Sequence, residues 1–191
     1  IELLEFMELD EKRDRDIREL SGGMKRRLMI ARGMLNAPEV LILDEPTTGL
    51  DPQARHLVWE RLRTLKKQGV TLLLTTHYME EAAQLCDRLV IMHEGKVLVE
   101  GSPRDIVDQQ TSREVVEIFE PPTELQERLN SLASLARGIE KLADRWLFYT
   151  DTGDALLEQV RALQLPPGTV WLRGSTLEDV FLALTGRGLL D

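Results

Sequence analysis

The stretch that decides the fold is Val40-Leu41-Ile42-Leu43-Asp44-Glu45-Pro46-Thr47-Thr48-Gly49-Leu50-Asp51-Pro52. Its four consecutive apolar residues, Val40 to Leu43, predict a strand that is buried on both faces, as in the middle of a parallel sheet. Pro46 ends the strand because proline has no N–H to donate to a neighbouring strand. Asp44 and Glu45 therefore lie at the carboxyl end of the strand, where open α/β sheets bind their ligands.

The two acids admit two interpretations. Adjacent carboxylates at the edge of a sheet suit a hydrated Mg²⁺ and a water molecule that the ion helps to position. Acidic side chains are also ordinary turn residues. The strand and its two acids leave this choice open, so the neighbouring motifs have to decide it.

A glycine-containing stretch upstream predicts the start of a helix. It reads Leu20-Ser21-Gly22-Gly23-Met24-Lys25-Arg26-Arg27-Leu28. Ser21 is a good N-cap, and apolar residues then recur at helical spacing at Met24, Leu28, Ala31 and Leu35. The free N–H groups and the positive end of the helix dipole favour an anion at this point. The glycines allow a phosphate of another molecule to approach the backbone closely.

A second buried strand is predicted at Val70–Thr75, and it ends directly at Thr76-His77. A single histidine is usually just a polar residue that finds a partner in the fold. His77, however, follows its strand as Asp44 and Glu45 follow theirs, so we expect the three side chains to meet at one edge of the sheet. Two strands that deliver polar groups to one edge indicate a shared site.

In this order and at these spacings, the three stretches resemble the signature motif, the Walker B strand with its D-loop, and the switch histidine of an ABC-type ATPase. The resemblance is highly specific and covers residues 1 to about 110. The chain contains no G-x-x-x-x-G-K-[ST] phosphate loop. It also begins without an initiator methionine, so we expect a piece of a longer protein whose phosphate loop and other nucleotide-binding parts lie upstream.

The resemblance implies an ATP-binding site with Mg²⁺ as the metal. Asp44 would hold Mg²⁺, Glu45 would orient or deprotonate the attacking water, and His77 would contact the γ-phosphate. Phosphoryl transfer needs charge stabilisation and positioning above all, which such groups supply. Because the phosphate loop is missing, we expect that this chain alone neither binds ATP tightly nor hydrolyses it.

The resemblance also implies a second copy of the subunit, arranged head to tail. Ser21, Gly22 and Gly23 would bind the γ-phosphate of the ATP that the other copy holds. Asp51 would touch the opposite subunit. Asp51-Pro52 has a structural explanation as well, because the pair is typical of an N-cap followed by proline at the first helical position.

Three cations, Lys25, Arg26 and Arg27, follow the signature, where the helix dipole disfavours positive charge. They can form a solvated face paired with acids such as Asp14, Asp16 or Glu19, or they can add to a surface that attracts anions. The two interpretations are about equally supported, and we assign no site to these residues.

Residues 111–191 predict a second, non-enzymatic domain. Strand and helix patterns follow one another in the order βαββαβ, with a helix at Thr123–Leu135, which matches the ferredoxin-like split unit. Trp146, Tyr149 and Trp171 alternate with polar residues and are expected in the core. The predicted fold is thus α/β: a partial P-loop NTPase (ABC-type) parallel sheet with helices, followed by a small α+β ferredoxin-like domain.

The ending from Ser175 to Gly186, which opens with the capping pattern Ser175-Thr176-Leu177-Glu178, resembles the tail of exporter-type ABC ATPases of the drug-resistance and nodulation kind. Met24 in place of the commoner glutamine resembles that branch too. The implied function is an ATPase that powers export of a small molecule or glycolipid-like substrate. Its partners would be a membrane permease and a second copy of itself, and it would lie in the cytoplasm, peripheral on the inner face of the membrane.

Composition limits the alternatives. The net charge of −9 argues against binding to nucleic acid, because proteins that bind nucleic acid carry basic surfaces. No apolar run approaches the ~20 residues that span a bilayer, and the single cysteine, Cys86, fits a reducing compartment. Two other functions stay open: a non-transport ABC ATPase that works on ribosomes or DNA, and a regulatory module without catalysis.

Overall fold

The computed structural model describes residues 2–185, and the chain divides into two compact units, Ile1–Cys86 and Asp87–Asp191. Each unit has a hydrophobic core of its own. Gly186, the last residue of the tail motif, lies outside the described residues. A domain boundary near Gln110 stays a prediction.

The first unit alternates helices with two strands. Two short 3-10 turns, at Asp10–Lys12 and Ile17–Glu19, connect its first two helices. The elements are α1 (Glu2–Phe6), α2 (Gly22–Gly33), β1 (Val40–Asp44), α3 (Pro52–Lys67), β2 (Thr71–Thr75) and α4 (Met79–Leu85).

Strands β1 and β2 pair in parallel, with Val40 beside Thr71 and Asp44 beside Thr75. The parallel pairing agrees with the prediction, but the prediction that β1 is buried on both faces was wrong. Leu41 and Leu43 are buried, whereas Val40 is 55% and Ile42 72% exposed.

The difference follows from where the helices lie. Leu41 and Leu43 belong to one core cluster with Ile30 and Ala31 of α2 and with Val58 of α3. In the described part of this unit the helices cover one face of the two strands, so alternate residues of β1 are left exposed. The predicted burial of β2 fails for the same reason: its residues alternate between exposed and half-buried, and Leu73 is 59% exposed.

Helix α3 is the centre of the first core. Its buried residues are Val58, Trp59, Leu62 and Leu65. Apolar residues at a spacing of three to four place one face of the helix toward the strands. None of the helices within residues 2–185 is long and apolar enough to cross a membrane.

The second unit contains a hairpin and a four-stranded sheet. The hairpin strands are antiparallel and lead into α5. The elements are β3 (Leu89–His93), β4 (Lys96–Gly101), α5 (Pro103–Gln110), β5 (Glu114–Phe119), α6 (Gln126–Ser131), β6 (Gly138–Lys141), β7 (Arg145–Thr150), α7 (Gly153–Arg161), β8 (Val170–Gly174) and α8 (Leu177–Thr185).

The four-stranded sheet is antiparallel, in the order β6-β7-β5-β8. This order and the two helices between its strands confirm the ferredoxin-like βαββαβ arrangement. Trp146 and Tyr149 are buried as predicted, but Trp171 is 59% exposed. That prediction was wrong because Trp171 lies in the edge strand β8, where its indole N–H donates to Gly168 O. The helix predicted over Thr123–Leu135 is broken, since 3-10 turns flank the short α6.

Helix α8 is joined to the sheet by an ion pair between a half-buried arginine and a buried aspartate. Arg173 of β8 donates two hydrogen bonds to Asp179, at 2.7 and 2.9 Å. This pairing with Asp179 raises the pKa of the arginine above its ordinary value. Asp179 also accepts a hydrogen bond from the Thr176 N–H at 2.7 Å. The sequence pattern predicted Glu178 as the capping acid, and this prediction was wrong by one residue.

Candidate functional site

Hydrogen bonds of Thr75 connect the carboxyl ends of β1 and β2. The register places Asp44 beside Thr75, and the Thr75 hydroxyl donates a hydrogen bond to Asp44 Oδ1. The Glu45 N–H donates to Thr75 O at 3.0 Å, which extends the pairing one residue past the strand. The backbone that carries the two acids is therefore fixed relative to β2.

Glu45 has an unusual backbone conformation. Its φ of 46° lies in the left-handed region, which costs a residue with a side chain about 1–2 kcal/mol. The carboxylate is held at both oxygens. Oε2 accepts a hydrogen bond from the Thr48 hydroxyl at 3.0 Å, and Oε1 lies 3.2 Å from His77 Nδ1.

His77 lies at the same edge of the sheet, as the sequence predicted. Its ring is about half exposed, and it stacks at a tilt on Tyr78 with 4.2 Å between the ring centroids. The carboxylate of Glu45 orients the ring through Nδ1. If Nδ1 donates to Glu45, then Nε2 can donate to a second anion only in the imidazolium form.

Arg26 holds this segment from the side of α2. Its guanidinium donates hydrogen bonds to Pro46 O at 3.0 Å, to Asp44 O at 2.8 Å and to Glu45 O. Arg27 similarly donates to Met7 O at 2.8 Å. The pairing of these two arginines with acids was therefore a wrong alternative, because both guanidiniums bind backbone carbonyls.

The role of Arg26 was missed in the sequence. Its position in the first turn of α2 is visible there, but no short-range pattern connects it to a loop that begins eighteen residues later. Such a link depends on how α2 packs beside β1, which only the three-dimensional structure shows.

The signature residues lie at the beginning of α2. Ser21 is the N-cap, as predicted, and its hydroxyl accepts a hydrogen bond from the Met24 N–H at 3.2 Å. Gly22 has open space around it, whereas a methyl group at Gly23 would lie 3.5 Å from Leu50 Cδ2. Gly23 is thus the glycine at which α2 approaches the loop before α3.

Asp51 caps α3 in the predicted way. Its Oδ1 accepts a hydrogen bond from the Ala54 N–H at 2.9 Å, and Pro52 occupies the first helical position. Asp51 is exposed, so its side chain remains accessible to other molecules while it caps α3.

The structure thus brings the predicted residues together in two groups. Asp44, Glu45 and His77 form one cluster at the strand ends. Ser21–Gly23 and Asp51 lie at the beginnings of two neighbouring helices. Within residues 2–185, no hydrogen bond joins the side chains of Ser21 or Asp51 to that cluster.

The donor set at the strand ends fits a magnesium ion that keeps most of its ligands as water or phosphate. The described residues contain no group of three or more His, Cys, Asp or Glu side chains that could hold a metal ion by themselves. Asp44 is exposed and uses only Oδ1 in its bond to Thr75. One free carboxylate oxygen suits Mg²⁺, which is commonly bound through one or two carboxylates together with substrate phosphates.

Two family descriptions match parts of the chain. Residues 1–48 match the ABC transporter family, a range that includes the signature residues and both acids. Residues 123–186 match the C-terminal domain of the nodulation factor export protein NodI.

Curated relatives match nearly the whole chain. The Nod factor export ATP-binding protein I of Burkholderia pseudomallei is 48% identical over 191 residues, which are 99% of this chain and 61% of that protein. The protein of the same name from Cupriavidus metallidurans is 46% identical over 190 residues, with the same coverage of 99% and 61%. The chain therefore spans about three fifths of the length of these relatives.

Solved structures of ABC cassettes resemble part of the fold. One is the structure of cbiO1 from Clostridium perfringens, part of the ABC transporter complex cbiONQ. It is 33% identical to this chain with a TM-score of 0.51, and the match covers 56% of this chain and 43% of the cbiO1 chain. An ATP-binding subunit of an ABC transporter is 38% identical with a TM-score of 0.50, over 56% and 45% of the two chains. The chain is thus similar in sequence and in fold to ATP-binding proteins of ABC transporters, and the two curated relatives are both named Nod factor export ATP-binding protein I.

Proposed function

We propose that the chain is part of an ATP-hydrolysing subunit that powers export of a small molecule or glycolipid-like substrate through a membrane permease. The observation that carries the proposal is the contact between Glu45 and His77, 3.2 Å apart beside Asp44 at the ends of two parallel strands. The relatives, which are named for export of Nod factor and for binding of ATP, support the same class of function.

The cluster has the parts that phosphoryl transfer requires. Glu45 accepts a proton from, or orients, the attacking water, and its bonds to Thr48 and His77 fix the direction of its oxygens. His77 directs Nε2 away from Glu45 and toward the γ-phosphate. Asp44 holds Mg²⁺, which supplies charge neutralisation on the phosphates when it is bound. Positioning and charge stabilisation are the main contributions in this reaction.

A second copy completes the site. Ser21, Gly22 and Gly23 present the N-terminus of α2, which favours an anion through its free N–H groups and dipole. Because these residues do not contact the cluster of their own chain, we assign them to the γ-phosphate held by the partner copy. Asp51 is exposed and faces the partner copy as well as capping its own helix.

We expect this chain by itself not to hydrolyse ATP. Its 191 residues contain no phosphate loop. In such enzymes the β- and γ-phosphates are bound by the glycine-rich loop and its lysine. In the working transporter, the subunit is peripheral on the inner face of the membrane and attached through the permease.

A chimera tests the proposal. The part of the Burkholderia pseudomallei relative that this chain does not span is joined to the chain, and ATP hydrolysis is measured after circular dichroism has verified folding. We expect turnover that Glu45→Gln lowers at least about a hundredfold, because the positioned carboxylate is lost. The exposed Glu60→Gln in α3 is the matched control and should leave turnover unchanged. Full turnover of the Glu45→Gln chimera would refute the proposed role.

A further inference from the structure

Glu81 is completely buried although it carries a carboxylate. It lies in α4, four residues after His77, with 0% of its surface exposed. Burial of a carboxylate is unfavourable unless a cation or several hydrogen bonds compensate it. The hydrogen-bond donors that Glu81 has in the described chain are both neutral, so the position needs an explanation.

One oxygen of Glu81 joins two other segments to α4. Oε1 accepts a hydrogen bond from the Thr47 hydroxyl at 2.7 Å and one from the Trp59 indole N–H at 2.9 Å. The other oxygen, Oε2, is buried and has no hydrogen-bond partner among residues 2–185. An apolar side chain of similar volume would fill the same space but would leave the buried Thr47 hydroxyl and Trp59 N–H without an acceptor, so the carboxylate does not serve packing alone.

The two donors come from segments that matter for the cluster. Thr47 is fully buried and lies two residues after Glu45. Trp59 lies in α3, the helix that Asp51 caps. Helix α4 begins just after His77 and is fastened to α3 at other points too, since Arg63 donates to Gln84 at 2.8 Å.

We propose that Glu81 is a positioning residue that keeps Glu45 and His77 in contact. It holds Thr47, and with it the turn that carries Glu45, at a fixed distance from the helix that follows His77. Its bond to Trp59 fixes both of them relative to α3. The proposal rests on the function proposed above, because the contact between Glu45 and His77 is the centre of that site.

Nuclear magnetic resonance on this chain tests the proposal with four variants. Glu81→Leu removes the acceptor, and Thr47→Val removes one donor while Glu81 stays in place. Glu81→Gln keeps a carbonyl oxygen where Oε1 lies and serves as the conservative rescue. Leu85→Ala is the matched control, since Leu85 is a buried residue of the same helix whose side chain cannot accept a hydrogen bond from Thr47.

Two signals report the geometry of the site. The first is hydrogen exchange at the Glu45 amide, which donates to Thr75 O, measured relative to the Ile30 amide in α2 so that global destabilisation cancels. The second is the ¹⁵N chemical shift of His77 Nδ1, which reports its hydrogen bond to Glu45. In Glu81→Leu and Thr47→Val we expect relative exchange at least about tenfold faster and a displaced Nδ1 signal. Glu81→Gln and Leu85→Ala should leave both as they are.

The outcomes separate the two proposals. If Glu81→Leu and Thr47→Val match Leu85→Ala in both signals, Glu81 only stabilises the fold and the positioning role is overturned. Should Glu81→Leu not fold, Thr47→Val decides alone by the same criterion. If the unsubstituted chain itself shows no hydrogen bond at Nδ1, the contact that carries the proposed function is absent, and both proposals fall.

Discussion

Replacing Arg26 with methionine is expected to destabilise the first unit by about 2–4 kcal/mol. The half-buried guanidinium donates to the carbonyl oxygens of Asp44, Glu45 and Pro46. A hydrogen bond from a charged donor contributes about 1.5–3 kcal/mol. Two of the three bonds share one nitrogen atom, and water can reach part of the segment in the variant, so the total falls below three full contributions. Methionine retains the aliphatic stem, which limits the loss of packing.

The loss is measured by urea unfolding followed through amide signals of the first unit. A single whole-chain curve would mix two units that need not unfold together. Lys25→Met is the matched control, because Lys25 is an exposed cation of the same turn and should change stability by no more than about 0.5 kcal/mol. If Arg26→Met proves as stable as Lys25→Met, the guanidinium does not hold the segment, and the reasoning is refuted.

Four other outcomes follow from the structure. Asp51→Ala removes the cap of α3 and should cost about 1 kcal/mol in urea unfolding; an unchanged stability would show that the cap contributes nothing. Asp179→Ala removes two hydrogen bonds of Arg173, which keeps its ion pair with Glu117, and also removes the acceptor of the Thr176 N–H, so it should destabilise the second unit by about 2–4 kcal/mol, whereas Glu178→Gln should not, and equal effects of the two would contradict the assignment. Isothermal titration of this chain with ATP should show no saturable binding, and a micromolar site would overturn that expectation. One edge of β2 pairs with no strand within residues 2–185, so light scattering should show self-association as concentration rises, and a clean monomer at high concentration would count against it.

The strand ends and helix starts could be predicted because they depend on local chemistry. Pro46 marks the end of β1, and Ser21 and Asp51 are caps whose hydrogen bonds lie within three residues of the capping side chain. The meeting of Glu45 and His77 was predictable from one topological rule, that parallel strands deliver their carboxyl ends to the same edge. These features require no knowledge of what packs on the sheet.

Burial of the strands and the longer contacts could not be predicted in the same way. The apolar run of Val40 to Leu43 has the composition of a strand covered on both faces, yet which faces are covered depends on elements elsewhere. The buried bond from Trp59 to Glu81 connects residues 22 positions apart. A glutamate two residues into a helix normally indicates an exposed side chain, so nothing in the local pattern points to its burial.

Turnover of mixed dimers tests most directly the central claim that two copies share one triphosphate. In the ATP-competent chimera, one preparation carries Glu45→Gln and the other Ser21→Arg, and each alone is inactive. If Ser21 acts on the ATP of the partner copy, a mixed dimer has one intact site, and equal mixing restores about a quarter of the unsubstituted turnover for random pairing and independent sites. If mixing restores nothing although mixed dimers form, Ser21 acts within its own copy or not at all, and the shared site is contradicted.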